Sequence, residues 1–297
     1  MTNDLYQQWH ALGYVSVPQL INAERATQLC TICDGILAQW RACDPQTGRP
    51  GDKPDATVMR HLNHPAYFAS QPEWRAQILE VAADPNVLHL AEAIFGEAPM
   101  FRSTSLFFNP GGIHVDGNWH RDAQFMTKTE DDERAMISNA GDGGSGMQLQ
   151  IALVPSDDIE VVPGSHLRWD TAEEYAIRKA DGGAHNRNND MPGAVRVKQN
   201  AGDAVLFNAM MLHRGRYYRE PVRRTLMLTY TKTSEPWFDY FSDQAWFVQS
   251  GYLDGLSPQA HSFYQRFITQ YESNWPHISS PLGGEVSGPP RGHGRGG

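Results

Sequence analysis

At Met100 the hydrophobic period of this chain changes, and that change restricts the folds open to it more than any other feature. Before it the pattern is helical. Asn22 is placed to cap a helix running to Gln39, and Ser70-Gln-Pro-Glu73 has capping-box spacing with proline early in the first turn. Asp84-Pro85 opens another helix with Leu88, Leu90, Ala91 and Phe95 as its stripe, and Gly96 stops it. After Met100 come short segments with strand character. Residues 101–109 are β-branched and aromatic, and residues 147–154 alternate Met147, Leu149, Ile151 and Leu153 against Gln148 and Gln150. Residues 159–162, 195–197, 204–213 and 224–231 complete the set, separated by Gly/Pro turns. This pattern predicts a mainly β protein with flanking helices, its strands forming a double-sheet jelly roll.

The expected organisation is one domain over residues 1–282: a helical part to 99, a jelly-roll core over 100–233 and a helical extension over 234–282. The Gly/Pro/Arg-rich stretch 283–297 has no apolar face and is expected to be disordered. Loops are expected at 142–146 and 181–193. A net charge of −9 argues against non-specific binding to nucleic acid or a membrane surface. No apolar run approaches a membrane span and the first residues lack a secretory pattern, so the expected compartment is the cytoplasm. Cys30, Cys33 and Cys43 fall close together, but no second pair follows the C-x-x-C, so they read as small core residues rather than a metal or redox site.

The chemistry is carried by Trp119-His120-Arg121-Asp122, with His213 far downstream and Arg224 eleven residues beyond it. Two neutral imidazoles and one carboxylate make the facial triad of non-haem Fe(II) oxygenases, which leaves three metal positions open. A second triplet, His114-Val-Asp116, competes. It follows Pro110-Gly-Gly and precedes Gly117-Asn118, which suits a turn, whereas His120 and Asp122 are flanked by the shielding residues Trp119 and Phe125. The second pair is therefore preferred. His213 follows Val205, Phe207, Ala209 and Met211 on one face of an alternating run, so it points the way core residues point. Alone it would read as a core histidine.

Arg224 alternates with Leu226 and Leu228, whereas Arg223 shares a face with Thr225 and Thr229. An interior guanidinium needs an anion, and the far carboxylate of a bound 2-oxo acid would supply one in a bidentate fork. The competing reading of Arg224 is a structural ion pair with an acidic side chain elsewhere. Together the residues predict Fe(II), 2-oxoglutarate and O2 as the cofactor and co-substrates. Gln148 and Gln150 share one strand face, which either lines the pocket and bonds co-substrate or faces solvent. Trp119, Phe125, Tyr217 and Tyr218 are candidate pocket walls.

Val162-Pro-Gly-Ser-His166, Ala201-Gly-Asp-Ala-Val-Leu-Phe207 and the opening Gly13-Tyr-Val-Ser-Val-Pro18 join the metal motif in a combination that resembles the phytanoyl-CoA dioxygenase family. The resemblance spans roughly residues 4–233. It implies a double-stranded β-helix with Fe(II) held by His120, Asp122 and His213, and the 2-oxoglutarate C5 carboxylate paired with Arg224. The chain departs from that family at Asp157-Asp158-Ile159-Glu160, where Asn-Gly is usual. His166 is expected to stabilise its turn rather than to support the metal. The function expected is oxidation, most simply hydroxylation, of a small molecule with release of succinate and CO2. Asp122 argues against halogenation, which needs that metal position for halide. The competing class is a jelly-roll protein whose metal is not catalytic. A serine hydrolase is disfavoured, since Ser145 lacks the G-x-S-x-G frame.

Overall fold

The computed structural model describes residues 2–51, 53–112, 114–139 and 146–275. The chain begins with α1 (Thr2–Leu12), β1 (Tyr14–Val17), α2 (Ala23–Ala42), β2 (Val58–Arg60), α3 (Pro72–Ala82) and α4 (Pro85–Phe95). It continues with β3 (Pro99–Phe108), β4 (Val115–Asp116), α5 (Ala123–Met126), α6 (Glu130–Asn139), β5 (Gly146–Ala152) and β6 (Ser156–Val161). Then come α7 (Ala172–Arg178), α8 (Ala180–Gly183), β7 (Val195–Gln199), β8 (Ala204–Asn208), β9 (His213–Tyr217), β10 (Arg224–Lys232) and α9 (Pro258–Tyr271). The expected caps form: the Asn22 side chain accepts from the Arg25 amide, Asp84 accepts from the Asn86 amide, and Gly96 takes a left-handed conformation.

The strands make two antiparallel sheets of a double-stranded β-helix. The major sheet runs β1-β8-β5-β10-β3-β2 and the minor sheet β4-β9-β6-β7. Two strands thus come from the part of the sequence that reads as helical: β1 pairs with β8, and β2 pairs with β3. The expected single run 204–213 is in fact two strands. A turn at 209–212 takes the chain from β8 in the major sheet to β9 in the minor one. Most of the loop expected at 142–146, and all of the tail at 283–297, lies outside the described residues.

The two faces of the major sheet are buried differently. Its outer face presents Leu106, Leu149, Ile151, Leu206, Leu226, Leu228 and Tyr230 to a helical layer that includes Leu29 and Ile36 of α2, Ile78 of α3 and Phe267 of α9. This layer holds the larger apolar core. Between the sheets the apolar cluster is small, built from Ile159, Val161, Val197, Val205, Phe207 and Met211. Much of the remaining inner face is polar, so the more hydrophobic face of these strands is the one turned away from the barrel.

His166 supports the fold, as the sequence suggests. A Cβ on Gly13, which has φ +78°, would lie 2.5 Å from His166 Nδ1. The His166 ring thus occupies the space a side chain would need, and its Nε2 lies 3.1 Å from the His10 carbonyl.

Candidate metal and co-substrate site

His120 and His213 are direct cross-strand neighbours. Each backbone N–H donates to the other's carbonyl, at 3.1 and 3.0 Å, and the ring centroids are 4.2 Å apart. Asp122 follows one turn on and is held by its own N–H donating to Ala209 at 2.9 Å. One ligand atom from each of the three residues falls within 4.8 Å of the others. Asp122 Oδ1 is 3.7 Å from His120 Nε2 and 3.8 Å from His213 Nε2. Among the described residues this is the one such cluster of three.

The donor set fits a divalent iron. His120 Nδ1 lies 2.7 Å from the Asn118 carbonyl and His213 Nδ1 lies 2.9 Å from the Met211 carbonyl. Each Nδ1 must therefore carry the proton, which leaves the Nε2 lone pairs for a metal. Burial pushes His213 down to about 4, His120 adds to that, and Asp122 opposes it. The imidazole is thus neutral at physiological pH, as ligation requires. Gln148 Nε2 donates to Asp122 Oδ2 and frees Oδ1 to point at the imidazoles. His114 and Asp116 are not part of the cluster. Asp116 pairs with Arg216 at 2.7 Å, and His114 Nδ1 accepts from the Arg219 amide.

Gln148 and Gln150 both face the barrel interior, which removes the solvent-facing alternative for them. Gln150 donates weakly to Met227 Sδ at 3.9 Å, and its buried Oε1 has no protein partner.

For the arginine the sequence expectation is reversed. Arg224 does share a face with Leu226 and Leu228, but that face packs on the helices. Its Nε meets Asp34 of α2 at 2.5 Å, so the competing reading of Arg224 is the observed one. Arg223 points inward and is 2% exposed. Its Nε is 3.3 Å from Thr225 Oγ1, its Nη1 donates to the Arg216 carbonyl at 3.0 Å, and its guanidinium lies 4.5 Å from the Tyr217 ring centre and 5.3 Å from that of Phe107. Asp158 of β6, in the segment where the sequence departs from the pattern it resembles, approaches Nε at 3.4 Å. That segment therefore touches the inward arginine rather than the metal motif.

Sequence reasoning missed a second inward cation. Arg60 of β2 donates to Ser105 Oγ at 3.1 Å and lies over the Phe107 and Phe241 rings. Burial lowers its pKa, while Tyr217, Tyr240 and Asp122 act against that. Among the described residues no carboxylate lies at ion-pairing distance from it. The signal was obscured because β2 is only three residues long in a region of helical character. Tyr217 stacks on Phe107 and forms an inner wall. Phe125 stands beside the metal cluster, its ring 5.6 Å from that of His120. Trp119 is no pocket wall: it is buried with Val162, Ile177, Met191 and Leu212, and its indole N–H donates to the Asn188 carbonyl. Tyr218 packs against Arg216 and His114 instead.

Arg121, between the two proximal ligands, is fully buried. Its Nη1 donates to the Ser165 and Met210 carbonyls at 2.6 and 2.7 Å, and its Nε donates to Asp170 at 2.9 Å. Asp170 also takes Arg178, which pairs with Glu133. One guanidinium thereby ties the proximal ligands to the Pro-Gly-Ser-His turn and to the loop leading into His213.

The family profile of phytanoyl-CoA dioxygenase (PhyH) matches residues 9–225. No curated protein sequence matches the chain significantly. Among solved structures, the epimerase SnoN in complex with Fe3+, α-ketoglutarate and nogalamycin RO is 19% identical with a TM-score of 0.54, covering 86% of this chain and 92% of that one. The non-haem α-ketoglutarate-dependent carbocyclase SnoK from nogalamycin biosynthesis is 18% identical with a TM-score of 0.54, covering 87% and 92%. EctD from S. alaskensis with 2-oxoglutarate and 5-hydroxyectoine is 17% identical with a TM-score of 0.55, covering 81% and 79%. At such identities the likeness is one of fold. The profile spans most of the chain and includes the whole metal motif, so the protein belongs to the phytanoyl-CoA dioxygenase family of non-haem iron- and 2-oxoglutarate-dependent enzymes.

Proposed function

We propose that the protein oxidises a small organic molecule, most simply by hydroxylation, with His120, Asp122 and His213 holding Fe(II) and Arg223 holding the far carboxylate of 2-oxoglutarate. The observation that carries this reading is the pairing of a two-histidine, one-carboxylate cluster, with His213 at the start of β9, and a buried arginine whose guanidinium donates to the Arg216 carbonyl of that same strand. Iron bound there supplies the oxidising power, coupling O2 to decarboxylation of 2-oxoglutarate to succinate and CO2.

The protein's own groups account for the rest. The carbonyls of Asn118 and Met211 fix the imidazole tautomers, and Gln148 fixes the Asp122 carboxylate. Arg223 is held in place by Thr225, the Arg216 carbonyl and two aromatic rings, so little freedom is lost when an anion binds it. Arg60 adds a second positive charge in the same interior, which suits a co-substrate carrying two carboxylates. Gln150 offers an unused acceptor. Val205, Phe207 and Met211 line the interior beside these groups and keep water from it.

No helix among the described residues is long and apolar enough to cross a membrane. We keep the cytoplasm as the proposed compartment and a small molecule as the proposed partner.

The test is to incubate the protein with Fe(II), 2-oxoglutarate and a metabolite pool under O2 and to follow succinate together with product mass. The expected result is iron-dependent succinate release, with a product heavier by about sixteen daltons and no brominated product in bromide buffer, because Asp122 occupies the position a halide would need. Succinate release with no iron requirement would refute the metal assignment. A brominated product would refute hydroxylation.

A further inference from the structure

Strand arginines in this molecule come with their own anions. Arg102 pairs with Asp239 at 2.6 Å, Arg196 with Asp157 at 2.7 Å and Arg224 with Asp34 at 2.5 Å, while Glu160 takes Arg214. Arg60 of β2 is the exception. Among the described residues the one hydrogen bond of its side chain goes to a neutral hydroxyl, from Nη1 to Ser105 Oγ at 3.1 Å. Its guanidinium otherwise lies over two rings, 5.6 Å from the centre of Phe107 and 5.2 Å from that of Phe241. Ring faces attract a cation, but they do not replace the counter-ion that a charge taken out of water needs. Arg102 also lies 5.2 Å from the Phe241 ring centre, and it has its carboxylate as well.

The strand register puts this cation on the sheet face that also carries the support of the metal cluster. Arg60 is the cross-strand partner of Ser105, Ser105 of Met227, and Met227 of Gln150. Directly opposed residues of a pleated sheet share a face, and the Arg60–Ser105 and Gln150–Met227 side-chain contacts agree with that. Gln148, two positions from Gln150 and on the same face, donates to Asp122. Phe107 links the two inward arginines. Its ring centre is 5.6 Å from the Arg60 guanidinium and 5.3 Å from that of Arg223. The charge on Arg60 also feels Asp122.

Arg60 helps to draw a dianionic co-substrate into the barrel, but 2-oxoglutarate does not supply its missing partner. One carboxylate of that molecule is assigned to Arg223 and the other belongs with the metal. β2 stands two strand spacings from β10, about 9–10 Å, and no third carboxylate is left to reach it. We propose that Arg60 anchors the molecule to be oxidised through a carboxylate, so that the substrate is a small carboxylic acid bound as its anion. The planar guanidinium matches a carboxylate with two parallel hydrogen bonds. Phe107, Phe241 and Ser105 already hold its fork, so little freedom is lost when the anion arrives. This inference rests on the iron/2-oxoglutarate reading for its function, but the anion site can be tested without turnover.

The experiment uses the full chain loaded with Co(II) and 2-oxoglutarate, titrated in a calorimeter with benzoate, phenylacetate, hexanoate and N-acetyl-leucine, each against its primary amide. The amide keeps the shape of the acid and lacks its charge. At least one acid is expected to bind about ten- to a hundredfold more tightly than its amide. The preference should persist when 2-oxoglutarate is raised well above saturation. Arg60→Gln should erase it and leave 2-oxoglutarate affinity nearly unchanged, and Arg60→Lys, which keeps the charge, should retain part of it. Without any acid, Arg60→Gln should melt no lower than the parent, because it removes a charge that no carboxylate of the chain offsets. Absence of any acid preference, a preference that survives Arg60→Gln, or one that vanishes as 2-oxoglutarate is raised would each overturn the proposal. So would a loss of 2-oxoglutarate affinity in Arg60→Gln as large as that in Arg223→Ala, which would give Arg60 to the co-substrate. A lower melting temperature with the acid preference intact would reduce Arg60 to a structural part. Failure of Co(II) or 2-oxoglutarate to bind the parent would instead refute the metal and co-substrate reading, and it is seen before any acid is added.

Discussion

Replacing Arg223 should separate co-substrate binding from everything else the protein does, and replacing Arg224 should not. Arg223 is almost wholly buried, and its fork is oriented by Thr225 and the Arg216 carbonyl. A charge-assisted bidentate contact to a carboxylate in that setting is worth roughly 2–4 kcal/mol, which is about thirtyfold to several hundredfold in Kd. Asp158 stays solvated in part and keeps its 2.8 Å bond from Ser156 Oγ, so Arg223→Ala leaves no wholly isolated buried charge. Arg224 differs on each count. Its partner Asp34 has a side chain 50% exposed, and such pairs contribute about 0–1 kcal/mol to stability and nothing to an interior ligand. The assay is anaerobic calorimetric titration of 2-oxoglutarate into the Fe(II) protein, with thermal melts alongside. Arg223→Ala should weaken binding by the stated factor, and Arg224→Ala should bind like the parent. Equal losses from the two, or a larger loss from Arg224→Ala, would refute the assignment of the inward face.

Alanine at His120, Asp122 or His213 should abolish iron retention and activity with the fold preserved by circular dichroism, whereas His114→Ala and Asp116→Ala should retain iron. Loss of iron from the latter pair would show that the wrong triplet has been chosen. Arg121→Met should lower the melting temperature, since breaking a buried ion pair costs about 3–5 kcal/mol, and should also weaken Fe(II) binding in a chelator competition. A fall in melting temperature with unchanged iron affinity would limit Arg121 to a structural role. Burial pushes His61 down to about 3 and His64 down to about 4 from 6.5, so below pH 6.5 the unfolded chain binds protons that the folded chain refuses. Their stability is complete above pH 6.5 and is lost as pH falls toward 4, by about 3 kcal/mol per pH unit for the two together. Urea melts across that range check the slope, and His61→Phe should flatten it.

The sequence by itself pointed to the candidate metal ligands, because their chemistry is a matter of residue type. Two imidazoles and a carboxylate name a metal wherever the chain folds to bring them together. The turn residues around His114 and Asp116 and the apolar alternation before His213 also sufficed to prefer the three residues that the fold brings together. It determined too that strands follow Met100, since period-two patterns are local. Which face of those strands would become the inside of the barrel was not local. Alternation separates Arg223 from Arg224 but does not label either face, and the usual rule that the apolar face is interior misleads here. The major sheet carries its main hydrophobic core on the outside, against α2, α3, α4 and α9, and its inner face carries polar side chains such as Gln148, Gln150 and Thr225. The same layering turned Gln148, Gln150, Arg60 and Thr225 inward. Only the packing of helices on the sheet, a contact between segments as distant as Asp34 and Arg224, decided which arginine points into the barrel.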